Sequence, residues 1–398
     1  MRKNVMVVLL LAALMVFASA PVFAQGGGLP EPFCGNLAEA DCDILKMSQD
    51  EQLNVSSYVS VVDATTTIAG IPGLPADELV FGWAQDTVLA LDPEVTAAMV
   101  MLQMQGPEAV MENMEELMGL TVDFYRTLGL DAVIGFSMPE EIAAVIAAES
   151  GVDVPSDLTL QVIMSDGFAY IATEDLTFID PSIADMGAWI GVDLAGMVEM
   201  GMAQSMEMDD PEAQQAMMTS LGFSAMISSD ETRALLAPFV QVTRGDDDEV
   251  NGVEVAVFET SFDFAGFLAS PGFWSLIRDN LDFINANIDT PISVEDLQQA
   301  QMMMTFLGPA LLQGLELSSS VGIGLDDYLP YAQVVDFRWD LSGLLAFAAS
   351  TGALPEGAPE RALISLEIDA ANADYDDAPE IVAPEDAMIV PLEAMGVE

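Results

Sequence analysis

Trp189-Ile190-Gly191-Val192-Asp193-Leu194-Ala195-Gly196-Met197-Val198 is the stretch whose reading decides the fold. An apolar run leads to an Asp, and the Asp is followed by an apolar residue, a small one, Gly and two more apolar residues. The form recurs at Asp263-Phe264-Ala265-Gly266-Phe267-Leu268 and at Asp340-Leu341-Ser342-Gly343-Leu344-Leu345, after the runs Phe258 to Phe262 and Val334 to Trp339. Each copy reads as a strand that delivers the chain to an Asp N-cap and a short helix. The Asp oxygen serves backbone N–H groups that the first turn of a helix leaves without partners. Three such handovers describe an α+β chain, and the motif carries no chemistry of its own.

Outward from these copies, strands and helices alternate in blocks. Asn36 to Asn54 reads as a helix with its acids early. From Ser56 the text turns β-branched, and Leu79 to Leu91 answers it across Gly70 to Ala76 as a long hairpin. Pro93 to Ser150 reads as mostly helical and Met-rich. Strands resume at Leu158 to Met164 and Phe168 to Thr173, joined by Ser165-Asp166-Gly167, whose Asp-Gly marks a tight turn. Helix is expected from Ala195 to Leu236. A hairpin follows, from Phe239 to Arg244 and Val253 to Phe262, then helices over Pro271 to Ile288 and Ser293 to Leu307. The last third is strand-rich: Leu315 to Leu325, Tyr331 to Trp339 and Ala362 to Ala370. The tail from Tyr375 is acidic and punctuated by Pro, which suits an extended edge segment.

Residues 1–24 read as a secretory signal: Arg2 and Lys3, an apolar run from Val5 to Phe17, and Val22-Phe23-Ala24 before the cleavage point. That run is shorter than the ~20 residues a membrane-spanning helix needs. Gln25, and not Cys, comes directly after the cleavage point, so no lipid anchor is expected, and no later stretch reads as a membrane anchor. The expected organisation is therefore a signal peptide at 1–24, a disulfide-stapled segment and helix at 25–55, one large α+β domain at 56–375 and an acidic tail at 376–398. Cys34 and Cys42 are the two cysteines. In an exported chain they are expected to form a disulfide. The expected location is secreted, extracellular or periplasmic.

Composition narrows the function. The 398 residues include 9 Lys and Arg, 65 Asp and Glu and no His, for a net charge of −56. Loss of Arg2 and Lys3 with the signal would take the charge to −58. Such a chain repels phosphate backbones, which argues against nucleic acid as a partner. Without His there is no Ser-His-Asp triad and no His-ligated metal. Gly-x-Ser-x-Gly and phosphate-binding Gly loops are absent, and paired carboxylates carry no specificity among so many acids. Yet 52% of residues are hydrophobic, far from the composition of a disordered acidic chain. The expectation is a non-enzyme with a large core, no cofactor and an acidic exterior.

Other motifs receive plain readings. Asp246-Asp247-Asp248-Glu249 departs from a calcium loop, because Val250 fills the fifth position and Gly252 comes one place late; it reads as a solvated turn. The 26 methionines suit an adaptable apolar lining. A Cu(I) site built from thioethers is the third functional reading. Trp83, Trp189 and Trp339 fall in expected strands, as core or as cavity walls, while Trp274 does not.

The layout resembles the LolA-like lipid and lipoprotein carriers, including the mycobacterial lipid-binding lipoproteins. The points of resemblance are the helix-to-strand entry at Leu45 to Ser60, the Gly167 to Ile171 hairpin return, the step from Trp189 to Leu194, and the late meander ending in the tail from Pro379 to Pro391. The resemblance implies a curved antiparallel half-barrel sheet wrapping several helices, with an apolar cavity between sheet and helices. The walls of that cavity are then expected at Trp83, Met164, Trp189, Phe258, Phe262, Phe337 and Trp339. The function implied is passive carriage of a lipid or another hydrophobic ligand. The alternative is a secreted structural or surface protein whose apolar residues are all spent on core.

Overall fold

A computed structural model describes residues 32–71, 74–104, 113–150, 154–178, 181–207, 230–285, 292–312, 314–350 and 361–391. The expected signal peptide and Gly26 to Gly28 lie outside them. The helices are α1 (Glu39–Gln52), α2 (Pro93–Met104), α3 (Met114–Thr127), α4 (Glu140–Ser150), α5 (Leu194–Glu207), α6 (Asp230–Leu236), α7 (Phe264–Ala269), α8 (Pro271–Asp279), α9 (Leu281–Asn285), α10 (Val294–Leu312) and α11 (Ser342–Ser350). The strands are β1 (Ser57–Ala69), β2 (Glu78–Ala90), β3 (Gly129–Ser137), β4 (Asp157–Ser165), β5 (Phe168–Ala172), β6 (Trp189–Asp193), β7 (Val240–Arg244), β8 (Asp248–Val250), β9 (Val253–Phe262), β10 (Leu315–Gly324), β11 (Pro330–Asp340), β12 (Leu363–Ala373) and β13 (Ala387–Val390).

All strands join one curved, open sheet in the order β13-β6-β5-β4-β3-β2-β1-β12-β11-β10-β9-β7, with β8 paired to β9. Two meanders, β1 to β6 and β9 to β12, meet where β1 pairs with β12. Every pairing is antiparallel except that of β13 with β6. The α+β class and the curved sheet expected from the sequence are those observed. The tail supplies β13, an edge strand as its composition suggested.

Two of the three Asp-Gly copies are the caps their form implies, and in the third the helix starts one residue later, at Ser342. Asp193 Oδ1 accepts from Gly196 N at 2.7 Å, and Asp263 Oδ1 from Gly266 N at 2.8 Å. Asp340 Oδ1 accepts one residue earlier, from Ser342 N at 2.9 Å. A Cβ at Gly196 or Gly266 would collide with the capping carboxylate, which explains why the fourth residue of those two copies is Gly. Asp263→Ala should therefore cost about 1 kcal/mol of stability and Asp263→Asn much less, read from urea unfolding.

Turn chemistry is equally local. Asp166 and Gly167 have φ of 53° and 84°, and Asn251 and Gly252 have 52° and 84°. Both are the left-handed pairs that a two-residue hairpin turn requires. The hairpin expected from Phe239 to Phe262 is thus a three-strand unit: β7 and β8 both lie against β9, and the reversal sits at Asn251-Gly252.

Two expectations need correction. Among the described residues, 93–150 hold three helices, as a mostly helical stretch should, but the strand β3 runs between α3 and α4 where none was expected. Leu130, Ala132, Ile134 and Phe136 alternate there with Asp131, Val133 and Gly135, a period of two that flanking helical text obscured. Pro271 to Ile288 is not one helix: α8 ends at Asp279 and α9 begins at Leu281. Part of the expected helix from Ala195 to Leu236 lies outside the described residues.

The approach to α1 and the junction of β1 with β12 are tied down by few but specific bonds. Cys34 and Cys42 are disulfide-bonded and hold the approach to α1. Asp376 Oδ1 accepts from the backbone N–H and the hydroxyl of Ser56, both at 2.7 Å, and Asp376 N donates to Ser57 O. The Ser56 N–H, seconded by its hydroxyl, holds the Asp376 carboxyl below its ordinary value of 3.8. A carboxylate favoured in the folded state adds stability above the unfolded pKa and loses it as pH falls through the folded one. Asp376→Asn should therefore lower Tm near neutral pH, and the gap to the parent should close as pH drops below about 3.8.

Candidate ligand-binding face

Residues paired directly across a sheet share a face, so the registers sort every strand residue. The face carrying Tyr58 on β1 also carries Leu79, Phe81, Trp83, Gln85, Thr87 and Leu89 of β2. It continues through Leu130 to Phe136 of β3 and Leu158 to Met164 of β4 at alternate positions. On the other side it runs through Ile364 to Asn372 of β12, Gln333 to Trp339 of β11 and Leu315 to Val321 of β10. Across these seven strands, from β4 to β10, the paired residues of this face include no Asp, Glu, Lys or Arg. Asp63, Asp86, Asp131, Asp336, Glu367 and Asp369 all project from the opposite face. An alternation of two residues has separated an acidic exterior from an uncharged interior.

Helices and cross-over segments cover parts of this inner face. At the β1–β6 end, Tyr58, Leu89, Leu130, Ile134, Val162, Met164, Ile171 and Ile190 form one cluster with Leu176 and Ile183, and Phe124, Tyr125 and Leu194 pack on it. At the other end Ala256, Phe258 and Ile323 form a second cluster under Leu37, Ile44 and Leu45 of the α1 region. Arg244 on β7 sits beside it, with its guanidinium 5.2 Å from the centre of the Phe258 ring. That cation pairs with Asp41 of α1 and with Asp247. The acidic turn read from the sequence therefore supplies a counter-ion for Arg244.

Between the two filled clusters the inner face stays half-buried. Thr66 and Ile68 of β1, Phe81 and Trp83 of β2, Leu366 and Ile368 of β12, and Phe337 and Trp339 of β11 are all partly exposed. Phe262 of β9 extends this strip into a chain of rings. Its centroid is 4.6 Å from Phe264 and 5.5 Å from Phe267, and Phe267 leads through Phe273 to Trp274, each step 5.1 Å. Trp274 lines a cavity of about 320 Å³ between α8 and α10 with Arg278, Leu297 and Gln301. A second cavity, about 300 Å³, lies where Phe33 and Cys34 meet Ala234, Ala237 and Val240.

Of the seven expected wall residues, the structure places six on the inner face: Trp83, Met164, Phe258, Phe262, Phe337 and Trp339. Met164 and Phe258 belong to the two filled clusters, being 4% and 1% exposed. Trp83, Phe262, Phe337 and Trp339 belong to the half-buried strip. Trp189 departs from the set: it pairs with Ala172, out of phase with Ile190 and Ile171, and lies on the other face. None of the seven lines the two cavities. The reading from the sequence did not reach the ring chain from Phe264 to Trp274, although Phe264 and Phe267 lie within one of the Asp-Gly copies.

Three tyrosines close one end of the strip. The Tyr375 ring lies 5.8 Å from Tyr58 and 5.3 Å from Tyr331. Tyr331 donates to Asp327 Oδ2 at 2.5 Å, and Tyr375 donates to Pro330 O. Burial above all pushes the three phenols up from their ordinary 10, so they remain protonated.

This arrangement defines a class: an α+β protein whose open curved sheet keeps the inner face of its seven central strands uncharged and aromatic-rich. Two proteins from mycobacteria are among the solved structures similar to it. Lipoprotein LppX of Mycobacterium tuberculosis is 8% identical over 86% of this chain and 98% of its own, with a TM-score of 0.30. LprF from Mycobacterium bovis is 11% identical over 87% and 97%, with a TM-score of 0.29. A DUF1329 family protein from Desulfovibrio piger is 9% identical over 85% and 92%, with a TM-score of 0.16. No protein-family model and no curated protein matches the chain.

Proposed function

We propose that this protein is a non-catalytic carrier of a lipid or another hydrophobic ligand, exported through the signal at 1–24 and working outside the cytoplasm. The observation that carries the reading is the uncharged inner face of the seven central strands, whose rows at Trp83, Phe337 and Trp339, with Phe262 beyond them, remain partly exposed between two filled clusters. Apolar surface left accessible in this way binds acyl chains at roughly 0.8 kcal/mol per CH₂ removed from water. Binding is passive: the sheet contributes shape and exclusion of water, and the acids on the outer face keep the loaded chain soluble. That acidic exterior repels anionic membrane surfaces, so transfer of cargo requires a partner or screening by cations. Among the described residues no helix is long and apolar enough to cross a membrane, which suits a carrier that moves between surfaces.

The filled clusters at both ends of the face favour one competing reading, a surface protein without a small ligand. Organic extraction of the purified protein, followed by mass spectrometry, decides between them. Lipid near one equivalent per chain supports the carrier. Protein free of lipid that also takes up none when offered it supports the surface protein.

A further inference from the structure

We propose that the inner face selects an uncharged lipid bearing hydroxyl and ester oxygens, through a belt of buried polar side chains at Ser60, Trp83, Gln85 and Asn372. This rests on the carrier reading above and specifies its cargo. Ser60 on β1 lies directly between Asn372 of β12 and Thr87 of β2, and Gln85 is the next inward residue along β2. Ser60, Gln85 and Asn372 are 2%, 3% and 5% exposed. Among the described residues, Ser60 Oγ, Gln85 Oε1, Asn372 Oδ1 and Trp83 Nε1 are buried and have no hydrogen-bond partner. Four such atoms on one apolar face are unusual, because a buried polar group left unpaired is costly.

The bonds already made fix what the belt offers. Gln85 Nε2 donates to Thr87 Oγ1 at 2.6 Å, and Asn372 Nδ2 donates to Pro330 O at 2.9 Å. Both amides have thus turned their carbonyl oxygens free, while Trp83 offers an N–H and Ser60 a hydroxyl. The complement to two acceptors and two donors is a group that both donates and accepts. A hydroxyl beside an ester meets that need. A carboxylate or phosphate does not: it would face two carbonyl oxygens, and none of the seven central strands places a cation on this face. Ala64, opposite Trp83, and Ala370, opposite Val62, are the small side chains next to the belt.

The test displaces an uncharged fluorescent probe, N-phenyl-1-naphthylamine, from the delipidated full chain with 1-monooleoylglycerol, oleate or 1-octadecene, under mildly alkaline conditions. The glycerol ester should compete at least about tenfold better than either of the others, the equivalent of one or two hydrogen bonds made without a charge penalty. In Gln85→Met and Ser60→Ala that preference should shrink to within about threefold, while octadecene competes as before. Oleate competing as well as the ester would overturn the proposal. So would variants that keep the full preference, because internal water would then be what satisfies the belt. If a variant does not fold, the comparison of ligands on the parent chain still decides. Probe and octadecene binding without preference for the ester sinks this inference alone, whereas failure of every probe to bind removes the carrier reading with it.

Discussion

Phe258→Ala should cost about 3–5 kcal/mol of stability, the largest loss expected from truncating one of the described residues. The side chain is 1% exposed and lies in the cluster that joins β9 and β10 to the α1 region. Ala256 and Ile323 share its cluster, and Leu37, Ile44, Leu45 and Val321 pack against it. The same substitution removes the ring beneath the Arg244 guanidinium, and that cation links α1 to the β7–β8 turn through Asp41 and Asp247. Urea unfolding followed by tryptophan fluorescence should show a lower midpoint with an unchanged slope. A loss under about 1 kcal/mol would mean that the second cluster is not a true core.

The largest effect on binding is expected from Phe337→Asp. Phe337 lies on the inner face, opposite Leu366 of β12 and Leu317 of β10. A carboxylate there would meet no cation, and each apolar chain laid against it would have to strip its water, at a cost of several kcal/mol. Affinity for the uncharged probe should fall more than about 100-fold. Ser365→Asp, opposite Arg338 on the outer face, should leave binding unchanged. Equal effects from the two substitutions would show that the faces do not differ in function.

Much of this was legible in residue order. The alternation of Asp63, Asp86 and Glu367 with their apolar neighbours marks two faces wherever a strand is long. The Asp-Gly copies at Asp193 and Asp263 foretold their helix starts because a cap is built from atoms three residues apart. Asp166-Gly167 foretold its turn because only those residue types tolerate the left-handed φ it needs. Trp189 defeated the same logic. Its strand has five residues and is apolar on both faces, since Tyr170 and Ile389 crowd Gly191 on the side that Trp189 shares. A period of two cannot choose a face when both are covered. β3 was hidden for a related reason: its nine residues stand between two helical stretches, α3 and α4.

The sequence by itself determined the α+β class, the position of the caps and tight turns, the disulfide pair, the acidic exterior and the apolar identity of one sheet face. Those properties depend on neighbours within a few residues or on composition. Only the tertiary structure decided that β1 lies beside β12, hundreds of positions later in the chain. That pairing brings Asn372 next to Ser60 and turns two separate meanders into one continuous uncharged face. Pairing at such range is fixed by the fit of whole strands and their covering helices, which no local pattern encodes.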